Sequence, residues 1–306
     1  MMKQRKHLGI LVLLAAAFTG CHEMEEELVQ QPVEATWTLT VRASRSDNVT
    51  RGITIGDGKD EVSTTKLQSV WKAGEKVYVY KGDKQIGYLT ATPDATDAHH
   101  ATLTGSVTTT DISAGTTRLT LLTPVSLEEW TYTGQNGSLT GDDNSIDSKY
   151  NIAKADNVLV TAVSGNSVTT ESASFVNQQS IYRLSFRIQK KGEGKKTALG
   201  VKRLTLSAAN GGLWRNATDG TGPLTVVLPK ATTEPIFVAL RNQNTTEEEM
   251  LNFQAVDNDG ITYVDSKTIP AAYKSNGTFV SIKNATLTRC LGVTISSQDK
   301  TVKTAL

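Results

Sequence analysis

The sequence has few of the residues from which disulfide scaffolds and metal sites are built. Its 306 residues include two cysteines, Cys21 and Cys290, and four histidines. Two cysteines cannot supply a disulfide framework, and the alternation of Cys290 with apolar neighbours indicates a strand residue rather than a nucleophile. His99 and His100 are adjacent, and adjacent side chains on a strand point in opposite directions. We therefore interpret both histidines as surface loop residues, not as ligands of one metal.

The sequence also lacks the common catalytic motifs, and its net charge is close to zero. It contains no Gly-x-Ser-x-Gly elbow and no His-Glu-x-x-His helix. The 32 basic and 31 acidic residues nearly cancel, so no basic surface for nucleic acid is indicated. We predict a protein that is not an enzyme, with no catalytic residues, no metal, no cofactor and no nucleic-acid partner.

No apolar run has the length of a membrane-spanning helix, which needs about 20 residues. The longest, from Leu8 to Phe18, follows three basic residues and ends at Thr19-Gly20-Cys21, which indicates a signal peptide over residues 1–20. Phe18-Thr19-Gly20-Cys21 resembles the bacterial lipobox, and this implies acylation of Cys21, as by palmitate. The alternative is an ordinary secretory signal beside a cysteine.

Residues 21–35 are predicted to be an acidic tether. The segment His22-Glu23-Met24-Glu25-Glu26-Glu27 resembles the signal that sends Bacteroidetes lipoproteins to the outer surface, although it can also be a solvated spacer. Cys21 and this segment together predict a surface-exposed outer-membrane lipoprotein whose lipid partner is held through Cys21.

Apolar and polar residues alternate in the mature region, a period typical of half-buried β-strands. Trp37, Leu39 and Val41 share one face of Thr36–Val41, and Tyr182–Ile188 alternates in the same way. We predict an all-β fold of two antiparallel β-sandwiches, at residues 36–168 and 169–306. The other candidate strands are Lys76–Tyr80, Thr117–Leu122, Val158–Val163, Arg203–Ser207, Leu224–Leu228, Ile236–Leu240, Thr278–Ile282 and Leu287–Ile295.

A series of segments, in order, resembles the fimbrillin family, the pilus-building lipoproteins of Bacteroidales. Trp71-Lys72-Ala73-Gly74-Glu75-Lys76-Val77-Tyr78-Val79-Tyr80 is similar to the family's Trp-x-x-Gly-Asp-x-Ile-x-Val-Tyr segment, with Glu75 in place of Asp. Tyr132-Thr133-Gly134-Gln135-Asn136-Gly137-Ser138-Leu139 is similar to its Tyr-x-Gly-Gln-x-Gly-Thr-Leu. Later members of the series are Ala173–Asn177, Ile181–Ile188, Val201–Ser207 and Gly277–Leu287.

The resemblance implies a fold of transthyretin-like sandwiches. It also implies a fimbrial subunit that binds other fimbrillin subunits and supports adhesion to host or bacterial surfaces. It also implies that a protease cuts after an arginine, removes the first strand with Trp37, Leu39 and Val41, and opens a groove for a neighbour's strand. The candidate cleavage sites are Arg42, Arg45 and Arg51. We favour Arg45 or Arg51, in the polar stretch Ser44–Arg51, where a protease could enter. These arginines can equally be solvated loop residues.

Leu291, Val293 and Ile295 alternate in the C-terminal tail, which is either a donor strand or a last strand of the second sandwich.

The alternative function is that of a carbohydrate-binding surface lipoprotein in a glycan-uptake system. It would need exposed aromatic residues, for which Trp130, Tyr132 and Trp214 are the candidates. A hydrolase on a β-scaffold is the weakest alternative, because no pair of carboxylates can be located in the sequence.

Overall fold

The computed structural model describes residues 34–45, 62–66, 69–189, 194–210, 212–216 and 220–290, with the backbone alone at 62–66. These ranges form an all-β structure, as the alternation predicts. The only helical segments within them are single turns, Ile146–Tyr150 and Ala271–Tyr273. The strands are β1 (Ala35–Arg45), β2 (Val62–Lys66), β3 (Lys76–Lys81), β4 (Lys84–Pro93), β5 (His100–Thr109), β6 (Arg118–Thr123), β7 (Ala153–Ser164), β8 (Ser167–Thr170), β9 (Ala173–Asn177), β10 (Ser180–Gln189), β11 (Lys196–Ala198), β12 (Val201–Ala208), β13 (Leu224–Thr232), β14 (Ile236–Leu240), β15 (Glu249–Val256), β16 (Thr262–Ile269) and β17 (Thr278–Arg289).

The first sheet holds β1 and β3 to β9 in the order β5-β4-β3-β6-β7-β8-β1-β9, and a further pairing of β5 with β1 closes it on itself. β8 and β9 share one position, since each pairs with both β7 and β1. The pairing is antiparallel except where β1 meets β8 and β9. Closure gives β1 a hydrogen-bonded neighbour on each side, which removes an open edge there.

The second sheet runs β11-β10-β17-β16-β15-β12-β13, with β14 on β10 and β2 on β17. Its one parallel pair is β10 with β17. The chain therefore leaves the first sheet after β1, adds β2 to the second sheet, and returns at β3. The predicted strand Leu287–Ile295 begins inside β17, and its residues after Cys290 lie outside the described ranges.

The apolar residues form two clusters, one mainly in each sheet, and Tyr80 of β3 and Leu122 of β6 belong to the second cluster. In the first, Trp71 and Phe175 meet edge to face with ring centroids 4.9 Å apart, among fully buried residues such as Leu39 and Leu121. In the second, Phe186 and Phe253 meet at 5.7 Å. The long connection from β6 to β7 joins the second cluster through buried residues at 125, 130, 132, 146, 150 and 152. This connection belongs to the core of the second sheet although the strands on either side of it lie in the first.

Candidate functional site: the first strand and its anchor

β1 is held on both sides along its length. On one side it pairs with β5 over ten residues, from Ala35 opposite Thr109 to Ser44 opposite His100. On the other side it pairs with β8 at residues 38–40 and with β9 at residues 43–45. The amide of Thr38 also donates to the carbonyl of Asn166 at 2.8 Å. β1 thus fills a complete slot between β5 and the β8–β9 position.

The inward face of β1 supplies part of the first core. Leu39 and Val41 are fully buried, Ala43 nearly so, and Trp37 is partly buried against the same cluster. Burial of one Leu or Val side chain contributes about 1.5–3 kcal/mol. Loss of β1 would therefore leave both unpaired backbone and open apolar pockets in the slot.

Arg45 continues the inward face of β1 and is buried, with 5% of its surface exposed. Its guanidinium lies 4.1 Å above the ring of Trp71 and forms an ion pair with Glu75. It also donates to Ser69 Oγ at 3.0 Å and to the carbonyl of Val70 at 3.2 Å. We call this group, with Thr123, the Arg45 cluster. It fixes the end of β1 to the segment before β3.

Glu75 is the acceptor at the centre of the Arg45 cluster. Besides the guanidinium, its carboxylate accepts from Thr123 Oγ1 at 2.8 Å and from the amide of Lys72 at 3.2 Å. Its side chain is 12% exposed, so the charge is largely withdrawn from water and needs these partners. Trp71 and Glu75 are the two ends of the Trp-x-x-Gly-Glu segment, and in this structure that segment binds the first strand.

The candidate arginines occupy different environments. Arg42 points outward from β1, with 65% of its side chain exposed, and bonds Thr102 Oγ1 at 2.7 Å. Arg45 is not the solvated residue that the polar stretch suggested, because its guanidinium is paired with Glu75 and stacked on Trp71. A protease needs an extended, unpaired backbone, and the backbone at both residues is paired in β1. Arg51 lies outside the described residues.

The segment from Tyr132 to Leu139 packs against the second sheet. Gln135 is 2% exposed, donates to the carbonyls of Tyr132 and Ala239 at 2.7 and 2.9 Å, and accepts from the amide of Ala239 at 2.7 Å. The Tyr132 hydroxyl donates to the carbonyl of Gln178 at 3.1 Å, and its burial raises its pKa. This segment therefore locks the connection before β7 onto β14.

The aromatic residues proposed for glycan binding do not form an exposed surface. Trp130 is 4% and Tyr132 1% exposed. Trp214 is partly buried and, like Trp130, contacts the guanidinium of Arg241, at 5.5 and 5.4 Å respectively. A sugar-binding platform needs accessible ring faces, and these rings are used for packing.

Several other predicted sites can be placed. His99 is buried, contrary to expectation, and its ring is satisfied there because Nδ1 donates to the carbonyl of Ser69 at 3.2 Å. His100 is exposed at the start of β5. Cys290 is exposed, and its amide donates to Thr262 at 2.8 Å. Cys21, Leu291, Val293 and Ile295 lie outside the described residues.

Within the described part of the chain, no helix has the length and apolar character to cross a bilayer. The same residues bring together no group of three or more histidine, cysteine, aspartate or glutamate side chains in a position to bind a metal ion.

No protein-family model matches the sequence, and no curated protein matches it significantly. Among solved structures, the chain is similar to the crystal structure of a proposed cell adhesion protein from Bacteroides fragilis NCTC 9343. The two share 10% sequence identity with a TM-score of 0.37, over 81% of this chain and 95% of that one. At this level of structural similarity, neither the fold nor the function of that protein can be assigned to this chain.

Proposed function

We propose that this protein is a structural subunit of a cell-surface fimbria that assembles by strand exchange between copies and supports adhesion. The observation that carries the proposal is the position of β1. It is the first described strand, it fills a slot between β5 and β8–β9, and the next strand along the chain, β2, belongs to the other sheet. One cut between β1 and β2 therefore separates β1 from the rest of the chain and leaves β2 in place.

Removal of β1 would create a site that favours another strand. β5 would lose its neighbour on one side along ten residues, and the positions of Leu39 and Val41 would be open to water. An extended strand from a second copy would satisfy the backbone groups, and alternating apolar side chains would fill the pockets. The chemistry of the slot matches a β-strand with apolar residues at every second position.

We propose Arg51 as the cleavage site. Arg42 and Arg45 lie within paired β1, and a cut at either requires the strand to leave the sheet first. A cut after Arg51 removes all of β1 with both of its arginines. The Arg45 cluster then has a clear role in the precursor, since it holds β1 in its slot until the cut is made.

The donor strand is proposed to be the C-terminal tail. Leu291, Val293 and Ile295 alternate as the inward residues of β1 do, and the tail continues directly from β17. Deletion of residues 291–306 should leave a folded monomer that is cleaved but does not polymerise. Loss of folding on deletion would instead assign the tail to the second sheet.

The proposed route to the surface is that of a lipoprotein. Residues 1–20 are removed as a signal peptide, Cys21 takes the lipid and holds the precursor in the outer membrane, and cleavage releases the subunit into the fimbrium. The proposed role is structural, with no enzymatic activity and no nucleic-acid partner. We also retain two transthyretin-like sandwich domains, at 36–168 and 169–306, as part of the proposal. The two apolar clusters support two packed cores. The sheets exchange segments across residue 168, since β9 lies in the first sheet, and β2 and the buried residues of the β6–β7 connection belong to the second.

The proposal is tested by cutting the purified full chain with an arginine-specific protease and following assembly by size-exclusion chromatography with light scattering. We expect one early cut after Arg51, loss of residues up to 51, and conversion of monomers to a ladder of multimers. Arg51→Ala should stay uncut and monomeric.

Arg42→Ala is the matched control, because it removes an arginine of β1 with an exposed side chain. It should be cut and assemble like the unaltered chain. A trimmed protein that remains monomeric at every concentration would overturn the proposed assembly. Normal cleavage and assembly of Arg51→Ala would overturn the assigned site alone.

A further inference from the structure

A lysine, a glutamate and an asparagine lie together inside the second sheet. Lys274 is 1% exposed, Glu249 2% and Asn242 6%. Lys274 Nζ stands 3.4 Å from Glu249 Oε2. All three line one small gap, and its other walls include the apolar side chains of Leu251 and Ile269. A charged pair is thus enclosed by apolar groups together with a neutral carboxamide.

The hydrogen bonding of this cluster is incomplete. Glu249 Oε1 accepts from the amide of Asn210 at 2.8 Å, so the carboxylate is held on one side by backbone and on the other by lysine. The Asn242 Nδ2 group is buried and makes no hydrogen bond of normal geometry, although the Tyr182 hydroxyl lies beside it. A buried amide that donates nothing is destabilising, and a buried ion pair is seldom more stable than an apolar replacement. This arrangement of Lys274, Glu249 and Asn242 therefore destabilises the folded protein.

We propose that Lys274 and Asn242 form an intramolecular amide bond, with Glu249 as the group that moves the protons. The reaction removes the features that make the cluster costly. The lysine loses its charge, the unpaired Nδ2 group leaves as ammonia, and the new amide is neutral.

The steps balance without an oxidant or a second substrate. Glu249 takes a proton from Lys274, which frees the amine for attack and leaves two neutral groups. The free amine attacks Cγ of Asn242, while the protonated carboxyl donates to the carboxamide oxygen as negative charge develops there. The C–Nδ2 bond breaks, the departing nitrogen takes the proton from the amine, and Glu249 gives its proton to the released ammonia. The products are an amide, ammonium and the original carboxylate.

Fixed positions favour this reaction over hydrolysis. Asn242 is held by a β-bridge to Leu213, and Lys274 closes the turn after Ala271 through its amide. The gap leaves no room for a water molecule, and the placement of an amine and a carboxamide in one gap replaces an encounter between two molecules. The Tyr182 hydroxyl, beside Asn242, donates to the carbonyl of Tyr273 at 3.3 Å and stays protonated because burial raises its pKa.

The bond would join two strands that have a common neighbour. Asn242 follows β14 and Lys274 precedes β17, and both strands pair with β10. The three strands would then be covalently closed at one end. The inference stands whether or not the chain polymerises. In a polymer, tension on the C-terminal tail enters through β17, next to the bond.

The test is the mass of the purified, folded full chain after denaturation. We expect a deficit equal to one ammonia molecule, and a branched peptide that contains Asn242 and Lys274 after digestion. Glu249→Gln and Lys274→Met should each show the full mass. Asn258→Ala, an exposed asparagine in the β15–β16 turn, is the matched control and should keep the deficit.

Glu249→Asp, which retains a carboxylate, should restore at least part of the bond where Glu249→Gln abolishes it. A full mass for the folded unaltered chain overturns the proposal even if the variants do not fold. A deficit that maps to another pair of residues also overturns it.

Discussion

Replacement of Arg45 by methionine is the perturbation that tests the Arg45 cluster most sharply. Methionine keeps much of the length of the side chain and its contact with Trp71, but it removes the guanidinium that neutralises Glu75. The carboxylate would retain only Thr123 Oγ1 and the amide of Lys72 as donors. Removal of one partner from a buried ion pair costs about 3–5 kcal/mol. Because Glu75 is 12% exposed, we expect the lower end, about 3 kcal/mol.

Arg42→Met on the same strand is the control. That side chain is 65% exposed, with Asp94 3.5 Å away, and exposed pairs contribute about 0–1 kcal/mol. The assay is unfolding in guanidinium chloride, monitored by tryptophan fluorescence. Trp71 reports on the cluster because its ring lies 4.1 Å from the side chain of Arg45. Arg45→Met should lower the unfolding midpoint several times more than Arg42→Met.

A double-mutant cycle that combines Arg45→Met with Glu75→Gln isolates the interaction energy between Arg45 and Glu75. The double variant should lose less stability than the sum of the single variants, with a coupling of at least about 1 kcal/mol. Additive losses, or equal losses for Arg45→Met and Arg42→Met, would refute the assignment of Arg45 as the anchor of β1.

Two further predictions concern the core and its pH dependence. Gly137 has φ +81°, and an added Cβ would lie 2.7 Å from Leu228 Cδ2 and 3.0 Å from Ile236 Cγ2, so Gly137→Ala should destabilise by about 3 kcal/mol in chemical denaturation. Gly115→Ala, at φ +78° in open space, should cost only about 1 kcal/mol, and equal losses would contradict the packing of Gly137 on β13 and β14. Burial raises the pKa of Tyr150 to about 12 and also raises that of Tyr182. The unfolded chain then releases these protons first, so the contribution of these tyrosines to stability should be constant below about pH 10 and fall from there toward pH 12. A midpoint that does not fall over this range would show that these hydroxyls are accessible to solvent.

Strands were predictable from the sequence where one face of the strand is apolar and the other is polar. Alternation identified β1 and β10, because their inward residues are apolar and their outward ones polar. β4 and β5 were not among the predicted strands, and each contains a glycine, Gly87 in β4 and Gly105 in β5. In the structure each glycine stands where the opposite strand leaves no room for a side chain. The close approach of the two backbones depends on how β4 and β5 pair, and the sequence of neither strand shows it.

The candidate site was predictable in part. The apolar residues of β1 were identified, but Arg45 was not recognised as inward because its charge hid its place in the alternation. Its partner Glu75 is 30 residues away, and only the fold brings them together. The cluster of Asn242, Glu249 and Lys274 was missed for the same reason. Each residue looks like an ordinary surface residue in sequence, and it is burial that makes it unusual.

The central claim is that the slot of β1 is filled by another copy after cleavage, and a cryo-EM structure of the trimmed, assembled protein tests it most directly. We expect the density between β5 and β8–β9 to continue into a neighbouring subunit. Density for residues 35–45 of the same subunit in that slot would contradict the account.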